Sequence, residues 1–219
     1  MPSRFELENQ PQSLSEFSFP NEQVKRVIYS YVEGKETRPL LLYGTEGVGK
    51  STLARLLVSE LTDGREQAHE FDADIFVDTT YERIRSYFGL TTTYWNLISQ
   101  SNNAYFNGFF ICDEFRLPSI SDKATQIVKK FFDKLPPTVL MVMTNNLDTF
   151  RNIDSAVTDR CVLLKVPPTI PSVFLPYAKT ILERNNVSID EQKLLRVLQQ
   201  CYQQKGSSRN YYGALSQLI

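Results

Sequence analysis

The segment Gly44-Thr45-Glu46-Gly47-Val48-Gly49-Lys50-Ser51 fits G-x-x-x-x-G-K-[ST], a spacing suited to holding phosphates. Its three glycines let the backbone curl so that N–H groups and the first turn of a following helix surround phosphate oxygens. Lys50 is placed to reach the β- and γ-phosphates, the Ser51 hydroxyl to join a Mg2+ shell, and Thr52 to carry the loop into the helix. A nucleoside triphosphate is the ligand that residues 44–52 predict.

Phosphoryl transfer also needs carboxylates, and Phe109-Phe110-Ile111-Cys112-Asp113-Glu114 supplies two just past an apolar run. Asp113 would serve the Mg2+ shell, while Glu114 would orient and deprotonate the attacking water. Acidic residues commonly end strands, so the pair gains its meaning from the P-loop before it. A later run ends in Met143-Thr144-Asn145-Asn146 and offers an amide to the γ-phosphate or the water. Asn145 is the favoured residue, with Asn146 read as a turn former.

These groups need strands and helices in alternation. Residues 40–43, 74–78, 108–112, 139–143 and 162–166 read as five buried strands. Asn21 caps a helix over 22–33 with Val24, Val27, Ile28 and Tyr31 on one face, and Gly34 to Pro39 ends it. After the loop, Leu53, Leu56, Leu57 and Leu61 recur at helical spacing until Asp63-Gly64. In SDKATQIVKKFFDKL, Ala124, Ile127, Val128 and Phe131 face inward while Lys123, Gln126 and Lys130 face out. The fold class expected is α/β, a parallel sheet flanked by helices, over 1–168. VPPTIP then breaks the pattern, and 169–219 reads as a small domain of three helices, with Ser188 and Glu191 spaced as a capping box. Residues 1–20 read as an extended arm that packs on the body.

The composition permits this and excludes other classes. With 219 residues, 42% hydrophobic and 22% charged, the chain buries a sizeable core and is neither disordered nor fibrous. Lys plus Arg number 24 against 25 for Asp plus Glu, a net charge of -1, so any nucleic-acid contact must be a local patch. No apolar run approaches a membrane span and the first residues lack a signal-peptide pattern, which predicts a cytoplasmic protein, or a nuclear one in a eukaryotic or viral setting. Cys112, Cys161 and Cys201 lack metal-ligand spacing and read as reduced thiols.

Together these elements resemble the AAA+ ATPases, and within them the clamp-loader group typified by the small subunits of replication factor C. The resemblance covers most of the chain and implies ATP with Mg2+, an α/β P-loop domain and a helical lid. In that group a Ser-Arg-Cys sequence sends an arginine finger to the neighbouring subunit's ATP, and Asp159-Arg160-Cys161 is similar, with aspartate in place of the serine. The group's lid helix starts Gly-Asp-Met-Arg, which Gly206-Ser207-Ser208-Arg209 resembles, making Arg209 the sensor 2 arginine. The resemblance thus implies a homo- or hetero-oligomer with shared ATP sites and a partner that is DNA or a DNA-replication protein. Clamp-loader subunits continue into a collar, whereas this sequence stops at Ile219, so no collar is expected.

Two other readings remain open on sequence alone. A superfamily 3 helicase has a similar P-loop core and arginine finger but lacks this sensor 2 arrangement, and an ATP-gated adaptor for helicase loading or transposition would turn over slowly. The segment 79–108 departs from the family, interleaving Tyr81, Arg83, Arg85, Tyr87, Tyr94 and Trp95, a mix that suits nucleic acid yet at helical spacing also suits core packing. Lys123, Lys129, Lys130 and Lys134 form a partly shared basic helix face, and His69 reads as an exposed loop residue without a catalytic role.

Overall fold

Runs such as LLLY, GFFIC and VLMVM carry no polar alternation, so a strand made from them must be covered on both faces. A computed structural model, which describes residues 3–64, 68–76, 80–88, 105–116 and 122–219, shows how this is done. In chain order the elements are α1 (Arg4–Glu8), α2 (Glu22–Val32), β1 (Leu40–Gly44), α3 (Lys50–Leu61), β2 (His69–Phe71), α4 (Tyr81–Tyr87) and β3 (Gly108–Cys112). There follow α5 (Asp122–Asp133), β4 (Val139–Asn146), α6 (Leu147–Phe150), α7 (Ser155–Thr158), β5 (Val162–Lys165), α8 (Pro171–Arg184), α9 (Glu191–Lys205) and α10 (Ser208–Leu215).

The strands form one sheet in the order β2-β3-β4-β1-β5, and every pairing is parallel. Because side chains alternate faces, Leu40, Leu42, Phe109, Ile111, Leu140 and Val142 pack on one side with Val24, Ile28, Leu53 and Leu57 of α2 and α3. Leu41, Phe110, Cys112, Met141 and Met143 pack on the other with Ile84 of α4, Val128 and Phe131 of α5, and Val157 of α7. This is the parallel sheet between helices that the apolar runs required. Leu53 and Leu57 are fully buried, so truncating either to alanine should cost about 2–5 kcal/mol.

Local signals hold at several ends. The Asn21 side chain accepts from the Val24 N–H and starts α2. Asp63 and Gly64, both at positive φ, stop α3. Ile127, Val128 and Phe131 of α5 face inward as expected, while the side chains of Lys123 and Ala124 lie outside those described.

Four expectations are corrected. Residues 74–76 of the anticipated 74–78 strand lie instead in a 3-10 turn, Ala73–Phe76, that buries Phe76, and residues 77–79 lie outside those described. The strand is instead 69–71, at the sheet edge, where pairing with β3 alone leaves His69 and Glu70 exposed and requires no apolar run. His69 is thus exposed but on a strand, within 3.3 Å of the Tyr87 hydroxyl. The α9 cap is Asp190, whose carboxylate accepts from the Lys193 N–H, rather than Ser188. Residues 1–20 do pack, but they begin with a helical turn, α1, capped by Ser3.

The C-terminal helices have a cluster of their own, in which Phe174, Ala178, Ile181, Leu194, Leu198 and Tyr211 meet and Phe5 of α1 joins from the other end of the chain. The arm ties the two parts together: Leu14 is buried beside α2 and α3, the Tyr177 hydroxyl donates to the Asn9 carbonyl, and Thr169 to that of Ser18. No described helix is long and apolar enough to cross a membrane.

Candidate active site

Parallel strands deliver their C-terminal ends to one edge, and loops leaving that edge build a cleft of about 530 Å3. Gly47 and Gly49 hold φ of 74° and 90°, which side-chain-bearing residues adopt only under strain. The conformation turns the chain from β1 straight into α3, whose N-cap, Gly49, provides no side-chain cap. The first-turn N–H groups of a twelve-residue helix are therefore left without a side-chain partner at the cleft wall, where an anion would satisfy them. Glu46, Gly47, Gly49, Lys50, Ser51 and Thr52 line the cleft, whereas Val48 turns into the core and Gly44 and Thr45 present carbonyls to Lys50.

Lys50 is buried, and its Nζ donates to the carbonyls of Gly44 and Thr45 at 3.0 and 2.7 Å and to Asn146 Oδ1 at 3.1 Å. None of these acceptors carries a charge. Burial pulls the ammonium below the ordinary lysine range, opposed by the more distant carboxylates of Glu46, Asp113 and Glu114. A buried ammonium bonded to neutral groups favours a polyanion within reach.

Asp113 sits at the mouth of β3. The register Cys112↔Met143 sets it beside Thr144, whose hydroxyl donates to Asp113 Oδ1 at 2.8 Å. Ser51 Oγ donates to the same oxygen at 2.7 Å, so the hydroxyl and carboxylate expected in a Mg2+ shell are together. Arg55 closes the other side, 3.3 Å from Asp113 Oδ2 and doubly bonded to Glu70. The next residue, Glu114, takes a φ of 52°, and its N–H donates to the Thr144 hydroxyl at 3.1 Å. That turn swings its carboxylate to the cleft rim, where Arg116 donates to it at 2.9 Å.

The asparagines separate by strand parity. Val142, Thr144 and Asn146 share the face of β4 that meets α3, and the register Gly44↔Asn146 puts Asn146 at the root of the P-loop. Asn145 belongs to the opposite face, buried, with its Nδ2 donating to the Phe115 carbonyl and its Oδ1 accepting from Thr149. The favoured residue, Asn145, therefore does not reach the cleft, because one step along a strand reverses the face. Asn146 takes that place.

Arg209 lies in the first turn of α10, capped by Ser207, and lines the cleft from the C-terminal helices. The Ser208 N–H donates to the Gly47 carbonyl at 2.9 Å, which docks α10 directly on the P-loop. Arg209 Nε is 3.7 Å from Glu6 of α1, a buried carboxylate that belongs to no motif. Leu7, Pro11 and Phe17 of the arm and Phe174, Tyr177 and Tyr212 opposite supply an apolar wall. Arg160 is absent from this cleft. It precedes β5, and its guanidinium grips both oxygens of Asp133, at 2.7 and 3.0 Å, and the Ala156 carbonyl.

Thr144, Asn146, Arg55, Arg116 and Glu6 were not singled out as site residues by the sequence. A hydroxyl at the end of a buried apolar strand was the signal available for Thr144; the others depend on register or on tertiary approach.

Ser51 and Asp113 offer hard oxygen ligands, and no group of three or more His, Cys, Asp or Glu among the described residues is arranged as a metal cage. That donor set fits Mg2+, which takes one or two protein oxygens and completes its shell with water and phosphate.

No protein-family model matches the chain, and no curated protein matches it significantly. Solved structures do resemble it. A DNA replication initiation factor superposes with a TM-score of 0.58 at 15% identity, over 98% of this chain and 64% of that one. A lysine-to-arginine mutant of Thermotoga maritima RuvB gives 0.66 at 14% identity, over 95% and 65%. The chain thus spans slightly under two thirds of the length of either. At such identities the likeness is one of fold, and the fold is that of an α/β P-loop protein with a parallel five-stranded sheet.

Proposed function

We propose that this chain is an AAA+ ATPase that binds ATP with Mg2+ between a P-loop domain, residues 1–168, and a helical lid, residues 169–219, and uses hydrolysis to drive assembly or remodelling in DNA replication or a related DNA transaction. The observation that carries the reading is the convergence on one cleft of Lys50, Ser51, Asp113, Glu114, Asn146 and the lid's Arg209.

In this reading the P-loop amides and Lys50 bind the β- and γ-phosphates, and the apolar wall of Phe17, Phe174 and Tyr177 takes the base. Ser51 and Asp113 would hold Mg2+, which would supply positive charge to offset that of the phosphates. Thr144 fixes Asp113, Glu114 orients and deprotonates the attacking water, and Asn146 positions it. Arg160, outside its own cleft, acts in trans on the nucleotide of a neighbouring subunit. Arg209 reports the γ-phosphate by leaving Glu6, moving the lid.

A lid arginine at the cleft favours the clamp-loader-like reading over a superfamily 3 helicase, which lacks this element. An ATP-gated adaptor shares the same cleft and would differ in turnover.

The test is ATP hydrolysis with and without primer-template DNA, beside mass measurement of Glu114→Gln with ATP. The variant is expected to keep ATP affinity, lose turnover by about 100-fold or more, and accumulate as an ATP-bound oligomer. Full turnover in Glu114→Gln would refute its assignment; DNA-insensitive hydrolysis would point to a protein-directed switch.

A further inference from the structure

Lys130, in the last turn of α5, and Lys134, just past its end, both hold their ammonium groups over the ring of Tyr81 on α4, at 4.4 and 5.7 Å from its centroid. Tyr81, Arg85, Lys134 and Pro136 enclose a cavity of about 310 Å3 beside them. Two features of the sequence with no role in the nucleotide cleft, the aromatic and basic segment and the lysine face, thus become one surface.

We propose that this surface binds the phosphodiester backbone of DNA. The proposal rests on the DNA-transaction reading above and assigns the contact to a place. Like charges gathered over one ring repel, and each ammonium lacks an ion-pair partner among the described residues. The neighbouring acid on α5, Asp133, is committed to Arg160, and Lys129 is committed to Asp154. The ring face of Tyr81 relieves part of the repulsion without neutralising either charge. A surface that holds cations together in a chain of net charge -1 is matched by a polyanion. Lysine, arginine and tyrosine are the side chains that contact nucleic-acid phosphates, and Tyr81 together with Pro136 gives the groove a firm apolar floor.

Location supports the same occupant. Pro136 leads into the first residue of β4, whereas the P-loop leaves the last residue of β1. In a parallel sheet those are opposite ends, so DNA held here leaves the nucleotide cleft open.

The experiment is fluorescence anisotropy of the full chain with a labelled 20-nucleotide single strand and the matching duplex, titrated from 50 to 200 mM salt. The wild type is expected to bind, and the Lys130→Glu/Lys134→Glu chain to bind about tenfold or more weakly, with a salt slope lower by roughly 1.4 on the single strand or 1.8 on the duplex, as two lost phosphate contacts require. Lys130→Gln/Lys134→Gln, which removes the charges without reversing them, should show the same direction, and binding of a fluorescent ATP analogue should be unchanged in both. Lys25→Glu/Arg26→Glu, on the exposed face of α2, makes the same charge change elsewhere and should leave DNA affinity within about twofold.

Equal weakening by the α2 control, or an unchanged salt slope in the α5 variants, overturns the proposal, as does a wild type that hydrolyses ATP but binds neither DNA. Loss of self-association with intact DNA binding overturns it too, assigning the face to a second copy of the chain. DNA binding lost in the α5 variants of a chain that hydrolyses no ATP would uphold the surface while the ATPase reading fell.

Discussion

The two ends of the parallel sheet treat their basic groups in opposite ways. Where the strands finish, Lys50 is buried and bonded only to neutral acceptors, and Asp113 is already fixed by two hydroxyls. Where they begin, Arg160 is more exposed yet fully engaged, its fork closed on Asp133. The first end is prepared for a ligand by its own chain. The second is latched, and something outside the chain must open it if Arg160 is to serve a neighbour's nucleotide.

Removing the prepared cation should give the largest effect. Lys50→Ala is expected to lower ATP affinity by about 100-fold or more, since bonds between charged groups and phosphate are the strong ones, with calorimetry as the readout. Arg160→Ala should leave that affinity intact while turnover falls about 1,000-fold. Mixing the two variants should restore part of the turnover; no restoration would assign Arg160 a structural role.

The asparagines sharpen the contrast within the first end. Asn146→Ala should reduce kcat by about 10- to 100-fold with little change in melting temperature. Asn145→Ala should instead destabilise the fold by about 1–3 kcal/mol, because it strips partners from buried groups at Phe115 and Thr149, while turnover per folded molecule survives. The reverse pattern would return the role to Asn145.

The smallest effect belongs to the latch. Asp133→Asn, at an exposed pair, should shift the melting temperature little but promote ATP-dependent association by about two- to fivefold, measured by sedimentation. Weaker association would mean that Asp133 holds Arg160 in its working orientation.

How much of this the sequence carried follows from what pattern can encode. The P-loop, the carboxylates after β3 and the three C-terminal helices were legible because each depends on residue type over a short window. Asn145 and Asn146 could not be told apart, since a strand covered on both faces shows no alternation and hides its parity. The edge strand at 69–71 was missed for the opposite reason: its exposed His69 and Glu70 look like loop, and the apolar Ile75 and Phe76 nearby drew the assignment. Arg55 and Glu6 reach the site from 58 and 203 residues away, from Asp113 and Arg209 respectively, and no local window spans such distances.

The arm that walls the cleft has a consequence for the order of events in synthesis. Asn9, Glu16 and Ser18 bond to partners 151 to 176 residues further on, in α8 and just beyond its two ends. Contacts at that separation close the largest loops and are slow to form. On a ribosome the arm emerges first and waits, while the P-loop and its sheet can already assemble. Pulse-labelled hydrogen exchange should accordingly find α1 amides protected after those of β1 and β4. On the proposed reading, nucleotide capture is then acquired late, because the cleft walls are complete only once α8 and α10 have been made.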